Sequence, residues 1–228
     1  MAGILCVYAH PDDESFGPAG TLALYGRAGV PGYLLCFTKG QYGERPPDVA
    51  TPEALGRLRE EETLRAAAII GLKRAEVLDY VDGRLAQASF HELVEQVRRR
   101  LDELRPDVVI TFGARGISGH GDHIVAGRAT EVAARAFEEA HGPRLRLYYD
   151  AVTGPIAEMF KLSGPEASPT HTVDIAEVAQ VKIAALECHA SQGDARGYLE
   201  HLRREPPSFE SFHRAWPAAL APGSDLFD

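Results

Sequence analysis

Ile4-Leu5-Cys6-Val7-Tyr8 followed by Ala9-His10-Pro11-Asp12-Asp13-Glu14 is the stretch that decides the fold class. Ile4 to Tyr8 is a short unbroken apolar run, the pattern of a strand buried on both faces. It ends abruptly in imidazole and carboxylate groups. A later stretch repeats the arrangement. Val108 to Phe112 is again strand-like, and a link rich in glycine (Gly113, Gly116, Gly119) leads to His120-Gly121-Asp122-His123. In open α/β sheets ligands bind just outside the carboxyl ends of the strands. Each cluster therefore stands where a parallel sheet would place a site.

Strand and helix signals alternate through most of the chain. Ser15 to Ala28, with Leu22, Leu24 and Tyr25, reads as a helix stopped at Gly29, and Tyr33 to Thr38 as the second strand. Thr51 as cap and Pro52 at the first helical position open a helix that runs to Ile70 and stops at Gly71. Its inward face is expected to carry Leu55, Arg59, Glu62, Ala66 and Ile69. A charged pair in that stripe needs partners: either Arg59 and Glu62 pair with each other, or Arg59 reaches a ligand.

Ala75 to Tyr80 is the third strand, ending at Asp82-Gly83. Phe90, Leu93, Val94, Val97, Leu101 and Leu104 form an amphipathic helix closed by Pro106. Asp107 to Phe112 follows as the fourth strand. A helix from Asp122 to Ala140 is expected to face inward through Val125, Ala129, Val132 and Ala136. Leu145 to Val152 and Thr170 to Val173 read as strands five and six, with Asp174 capping a helix to about His189. The alternation predicts a mostly parallel sheet with helices on both faces, in a single α/β domain over residues 1–228. From Gly193 the pattern weakens. Residues 194–228 are expected to form a C-terminal extension packed on the domain or on a neighbouring subunit. Lys39 to Pro52 is long and rich in Gly and Pro for an α/β connection, so residues 39–52 are read as a lid.

The 228 residues, 45% hydrophobic and 25% charged, are ordinary for a globular protein with a substantial core. A net charge of −9 argues against nucleic acid or an anionic membrane as partner. The basic run Arg98 to Arg100 sits in a helical pattern with Glu95 and Glu103 and reads as a solvated face. Three cysteines, Cys6, Cys36 and Cys188, give no disulfide framework, and no window is long and apolar enough for a membrane span. A cytoplasmic protein is expected.

His10 and Asp13 stand three residues apart at a strand-to-helix corner. With one histidine from the second cluster they make two imidazoles and a carboxylate, the three protein ligands catalytic zinc commonly takes while keeping a position for water. Either His120 or His123 suffices as the third. Asp122 can then orient the other, and one carboxylate of the Asp12-Asp13 pair is left to act as base.

Ala9-His10-Pro11-Asp12-Asp13-Glu14 and His120-Gly121-Asp122-His123 resemble the two signatures of the LmbE-like, or PIG-L-like, zinc-dependent N-deacetylases. Gly121 stands where many members have proline. Further likeness lies in Arg59-x-x-Glu62 with Ala66 and Gly71, in Asp82, and in Lys182 with His189-Ala190-Ser191-Gln192. The resemblance implies a Rossmann-like fold and a zinc ion held by His10, Asp13 and His123. It makes Asp12 the general base. It gives His120, oriented by Asp122, the oxyanion or the leaving amine. Arg59 and Asp82 match positions that contact the sugar in relatives. It also implies a small sugar-amide substrate of N-acetylglucosamine type, such as a bacillithiol precursor or the substrate of a related thiol-conjugate amidase, and a homo-oligomer, hexamers being known in the family.

Two other readings use the same residues. Two histidines and a carboxylate also define the Fe(II) facial triad of oxygenases, though that leaves Asp12 and His120 without a task. A non-catalytic module binding a metal or sugar is the other.

Overall fold

The structure, a computed structural model, describes residues 3–218 and 221–228. In chain order its elements are β1 (Ile4–Tyr8), α1 (Asp13–Phe16), α2 (Ala19–Arg27), β2 (Gly32–Thr38), α3 (Pro52–Ile70), β3 (Arg74–Tyr80), α4 (Phe90–Leu104), β4 (Val108–Thr111), α5 (Gly116–Gly119), α6 (Gly121–His141), β5 (Arg146–Ala151), α7 (Gly154–Met159), β6 (His171–Asp174), α8 (Ala179–Glu187), α9 (Gly193–Arg204) and β7 (Phe209–Trp216). The fold is α/β, with a mostly parallel, mixed sheet flanked by helices. Its residues fall into two compact units. One comprises the chain up to Val7, Arg84–Val173 and Ser211–Asp228; the other comprises Tyr8–Gly83 and Asp174–Glu210.

In the first unit β1, β4 and β5 run parallel. Ile4 lies opposite Val108, Leu5 opposite Val109 and Cys6 opposite Ile110. The carboxyl ends of β1 and β4 therefore lie side by side. All of Ile4 to Val7 and Val108 to Ile110 are buried, which is why these runs carry no polar alternation. α4 begins at its Ser89 cap and ends at Arg105, whose φ of 48° breaks the helix before Pro106. It packs on α6. The buried face of α6 is Ala126, Ala129, Ala133 and Phe137, whereas Val132 and Ala136 point outward. Ala129 is buried as expected, but the inward face is rotated away from Val132 and Ala136.

In the second unit β2 and β3 pair in parallel, and α8 lies among α1, α2, α3 and α9. α3 starts as expected, Thr51 Oγ1 accepting from Ala54 N at 3.2 Å, and stops at Gly71 with φ 85°. Its buried face ends on Ile70, and Ile69 is exposed. The single helix expected from Ser15 to Ala28 is two, α1 and α2, broken at Gly17-Pro18, where proline supplies no N–H to continue the ladder.

Within the stretch from residue 194, α9 and β7 belong to the fold. α9 buries Ala195, Leu199 and Leu202 against Ile183 and Leu186 of α8, and β7 pairs antiparallel with β5, Asp150 opposite Phe212. None of the three cysteines forms a disulfide. Among the described residues no helix is long and apolar enough to cross a membrane.

Candidate active site

The second unit gathers His10, Asp12, Asp13, Arg59 and Asp82. β1 ends at Tyr8, and the chain turns sharply into α1. Asp12 makes the turn with φ 102°, a conformation an L-residue holds only when its surroundings impose it. Arg59 imposes it from the buried face of α3. Its NH2 donates to Pro11 O at 2.6 Å and to Asp12 Oδ2 at 3.0 Å, and its NH1 donates to Gly40 O at 2.9 Å. Gly40, with φ 60°, lies so close to the guanidinium that a side chain there would collide with it. Burial pushes the Asp12 carboxyl up to about 7, against the pull of Arg59.

Asp13 turns its Oδ2 back onto the strand end, accepting from His10 N at 2.8 Å and Ala9 N at 3.2 Å. His10 Nε2 lies 3.1 Å from Asp82 Oδ1. A carboxylate can only accept, so in the neutral ring Nε2 carries the proton and the lone pair sits on Nδ1. That Nδ1 is 3.8 Å from Asp13 Oδ2. Two ligands of one tetrahedral zinc lie at a comparable separation, roughly 3.4 Å at the usual bond lengths. Asp82 also accepts from Tyr42 N at 2.9 Å. Burial pushes its carboxyl up, but the hydrogen bonds from His10 and Tyr42 and the positive charges facing it together outweigh burial, and the net shift is downward.

A second ring supports these residues. Glu14 is fully buried, its Oε1 2.9 Å from His189 Nε2 and accepting from Ser15 Oγ at 2.9 Å. Burial alone would raise Glu14 and lower His189; their ion pair reverses both, so Glu14 is lowered and His189 raised. Glu62 accepts from Ser191 N at 2.9 Å and Ser191 Oγ at 2.7 Å. Arg59 and Glu62 thus each have a partner from outside α3. Glu44 accepts from Gly193 N at 2.7 Å, and Gln192 donates to Glu44 O at 3.0 Å. The first part of the 39–52 loop is thereby tied down by hydrogen bonds although Tyr42 and Glu44 are exposed, and residues 45–51 beyond it are mostly exposed.

The first unit gathers His120, Asp122 and His123. His120 caps α6, its Nδ1 accepting from Asp122 N at 3.2 Å, which leaves the proton of the neutral ring on Nε2. Asp122 is buried and accepts from Leu85 N at 3.0 Å through Oδ1. His123 lies flat on Phe112, ring centres 4.0 Å apart and planes 2° from parallel. Its Nδ1 is 3.0 Å from Gly116 O, and a carbonyl can only accept, so the lone pair is on Nε2. A second-sphere carbonyl or carboxylate on one ring nitrogen is the usual setting of a metal-binding histidine. The imidazole lone pairs and the carboxylates of His10, Asp13 and His123 are donor types that a divalent cation takes.

The model of the PIG-L family, described as GlcNAc-PI de-N-acetylase, matches residues 5–134. A curated protein of Bacillus anthracis described as a probable N-acetyl-alpha-D-glucosaminyl L-malate deacetylase 2 is 33% identical over 205 residues, covering 89% of this chain and 85% of its own. The 1D-myo-inositol 2-acetamido-2-deoxy-alpha-D-glucopyranoside deacetylase of Saccharomonospora viridis is 32% identical over 269 residues, covering 98% of this chain and 99% of its own. Among solved structures, the 4-carboxy-2-hydroxymuconate hydratase of Pseudomonas putida superposes with a TM-score of 0.76 at 21% identity, covering 96% of this chain and 98% of its own. A conserved protein of Thermus thermophilus gives 0.72 at 26% identity, covering 97% and 98%.

Proposed function

The chain belongs to the PIG-L family, and we propose on that premise that it removes the acetyl group from an N-acetylglucosamine conjugate using a zinc ion held by His10, Asp13 and His123. The first structural likeness, a hydratase, speaks for the fold alone. The family and the two deacetylase relatives speak for N-deacetylation. One observation carries the metal reading: His10 Nδ1, with its proton held on the other nitrogen by Asp82, faces Asp13 Oδ2 at 3.8 Å. His123 as third ligand is supported by its place in the second family motif and by its Nδ1 lying 3.0 Å from Gly116 O, which leaves the lone pair on Nε2.

When bound, the cation polarises the amide carbonyl and brings the pKa of the attacking water to about 7. Asp12 takes a proton from that water, Arg59 keeping its carboxylate in place through Oδ2. His120 offers its Nε2–H to the amide oxygen as negative charge develops there. With Nδ1 of His120 accepting from Asp122 N, the ring is suited to a neutral donor role, so Asp12 returns the proton to the departing amine. Acetate and a free amine result. Asp122 holds the start of α6 through Leu85. Arg59 and Asp82 act through Asp12 and His10 as positioning residues.

The whole chain is one deacetylase domain on this reading. It works in the cytoplasm as a homo-oligomer, on a glycoside whose aglycone is of the malate or inositol kind named for the relatives. Iron(II) fits the same donors, and elemental analysis of protein purified from its host decides between the metals. The test has two arms. Asp13→Ala and His123→Ala should lose zinc; wild-type zinc content in both means the ligands are others. Asp12→Asn should keep zinc and release acetate from a panel of N-acetylglucosamine conjugates about 10²–10⁴-fold more slowly. An unchanged rate removes Asp12 from the chemistry, and no acetate release by the wild type from any conjugate would leave a binding module.

A further inference from the structure

We propose that Glu166 is a positioning residue for His123: a buried carboxylate that holds the Gly113–Gly119 loop in the one shape that aims the histidine's Nε2 lone pair at the metal. This rests on the reading of His123 as a ligand.

Glu166 lies in the short turn Pro165–Ala167 and is 1% exposed. Its own C=O accepts from Val152 N at 2.9 Å, which fixes the backbone from which the side chain reaches. Oε2 accepts from Arg115 N at 2.8 Å and Oε1 from Ile117 N at 3.0 Å. Arg115 is right-handed (φ −101°, ψ −10°) and Gly116 left-handed (φ 59°). Successive residues of opposite hand turn their N–H groups into one concavity that suits an anion, and Glu166 fills it. The next residue, Ile117, has φ 57° and ψ −65°, strained for a β-branched side chain. The loop is therefore not in the shape its own residues prefer. A carboxylate bonded on both oxygens keeps it there.

The held shape matters because of Gly116. Its carbonyl is the group that accepts from His123 Nδ1 at 3.0 Å. Its α-carbon lies against the same histidine, a Cβ there coming within 2.6 Å of His123 Cβ. Gly116 thus sets both the tautomer and the position of the ring, and Gly116 sits between the two N–H groups that Glu166 binds. Gly113 completes the fit, since a Cβ on it would come within 2.7 Å of Glu166 Cγ and Cδ. A carboxylate is required, because the two N–H groups bond different oxygens and a carboxamide would set its NH2 against one of them.

The test compares Glu166→Gln, Gly113→Ala and His123→Ala with the wild type. Zn2+ affinity is read by competition with a chelator, and the visible absorption of the Co2+-loaded proteins reads the coordination. Glu166→Gln should bind Zn2+ about 10- to 100-fold more weakly and shift the Co2+ bands. A residue that only stabilised the fold would lower the unfolding temperature and leave the bands at saturating Co2+ where they were. Gly113→Ala, which keeps the carboxylate but displaces it, should do the same to a lesser degree and carries the test if Glu166→Gln does not fold. If His123→Ala loses Zn2+ while Glu166→Gln and Gly113→Ala bind it as the wild type does, the positioning role is wrong and the ligand assignment stands. If His123→Ala binds Zn2+ normally, the ligand assignment itself fails and this inference with it.

Discussion

Replacing His189 by leucine leaves Glu14 in a site where both partners' side chains are 0% exposed, and the consequence depends on pH. The wild-type pair fixes the signs. Glu14 is lowered below 4.5, so its contribution is present above pH 4.5 and is lost as pH falls through its folded value. His189 is raised above 6.5, so its contribution is present below pH 6.5 and is lost as pH rises through its folded value. Between those limits the pair is at full strength. In His189→Leu the carboxylate stays charged without its partner, a loss of about 3–5 kcal/mol for a broken buried pair, or it takes a proton. Protonation costs about 1.4 kcal/mol for each pH unit above the ordinary carboxyl value. At pH 5 that route costs under about 1 kcal/mol, and at pH 7 about 3 kcal/mol. Urea unfolding of chelator-treated protein at pH 5, 6 and 7 should thus show the variant's deficit widening by about 2 kcal/mol over the series. Adding Glu14→Gln should return most of what is lost at pH 7, because no charge is then stranded. A deficit that stays level from pH 5 to 7, or falls below about 1 kcal/mol at pH 7, would refute the stranded-carboxylate account.

Arg59→Lys replaces a fork serving three acceptors with one ammonium, so kcat/KM should fall about 10²-fold through misplacement of Asp12 and stability by about 2 kcal/mol; steady-state kinetics and urea titration check both. Asp82→Asn keeps an acceptor for His10 but not its charge, and chelator competition should show zinc held about tenfold more weakly. Lys182 donates to Phe16 O, Gly17 O and Glu210 Oε1, so Lys182→Met should cost about 3–5 kcal/mol in urea unfolding, with Glu210→Gln added on top recovering part of it. Limited proteolysis should cut within residues 45–51 and not at 40–44, with substrate suppressing the cut; uniform resistance would mean a rigid loop.

What the sequence could and could not announce follows from how far apart the interacting residues lie along it. Strands β1 to β6, the Thr51 cap of α3 and the close of α4 before Pro106 are local matters, marked within a few residues by apolar runs, Pro, Gly and Thr, whereas β7 lies where that pattern weakens. The spacing that singles out His10, Asp12, Asp13, His120, Asp122 and His123 is local too. The inward face of a helix is less local. Ile69 and Ile70 are equal by pattern, and only the packing partner decides that Ile70 is buried. α9 had its signal in the spacing of Ala195, Leu199 and Leu202, obscured by the charges between them. The supporting groups had none. Glu14 and His189 are 175 positions apart, and Arg59 and Asp12 are 47. In Gly164-Pro165-Glu166 a glutamate among loop residues reads as a solvated one, yet it is buried on two backbone N–H groups. A motif singles out its residues because their spacing along the chain is part of the geometry. The groups that hold those residues still need only arrive from somewhere with the right charge and burial. Substitutions outside the motifs at Arg59, Asp82, Glu166 and His189 are therefore expected to change metal affinity, rate or stability while leaving both motifs intact.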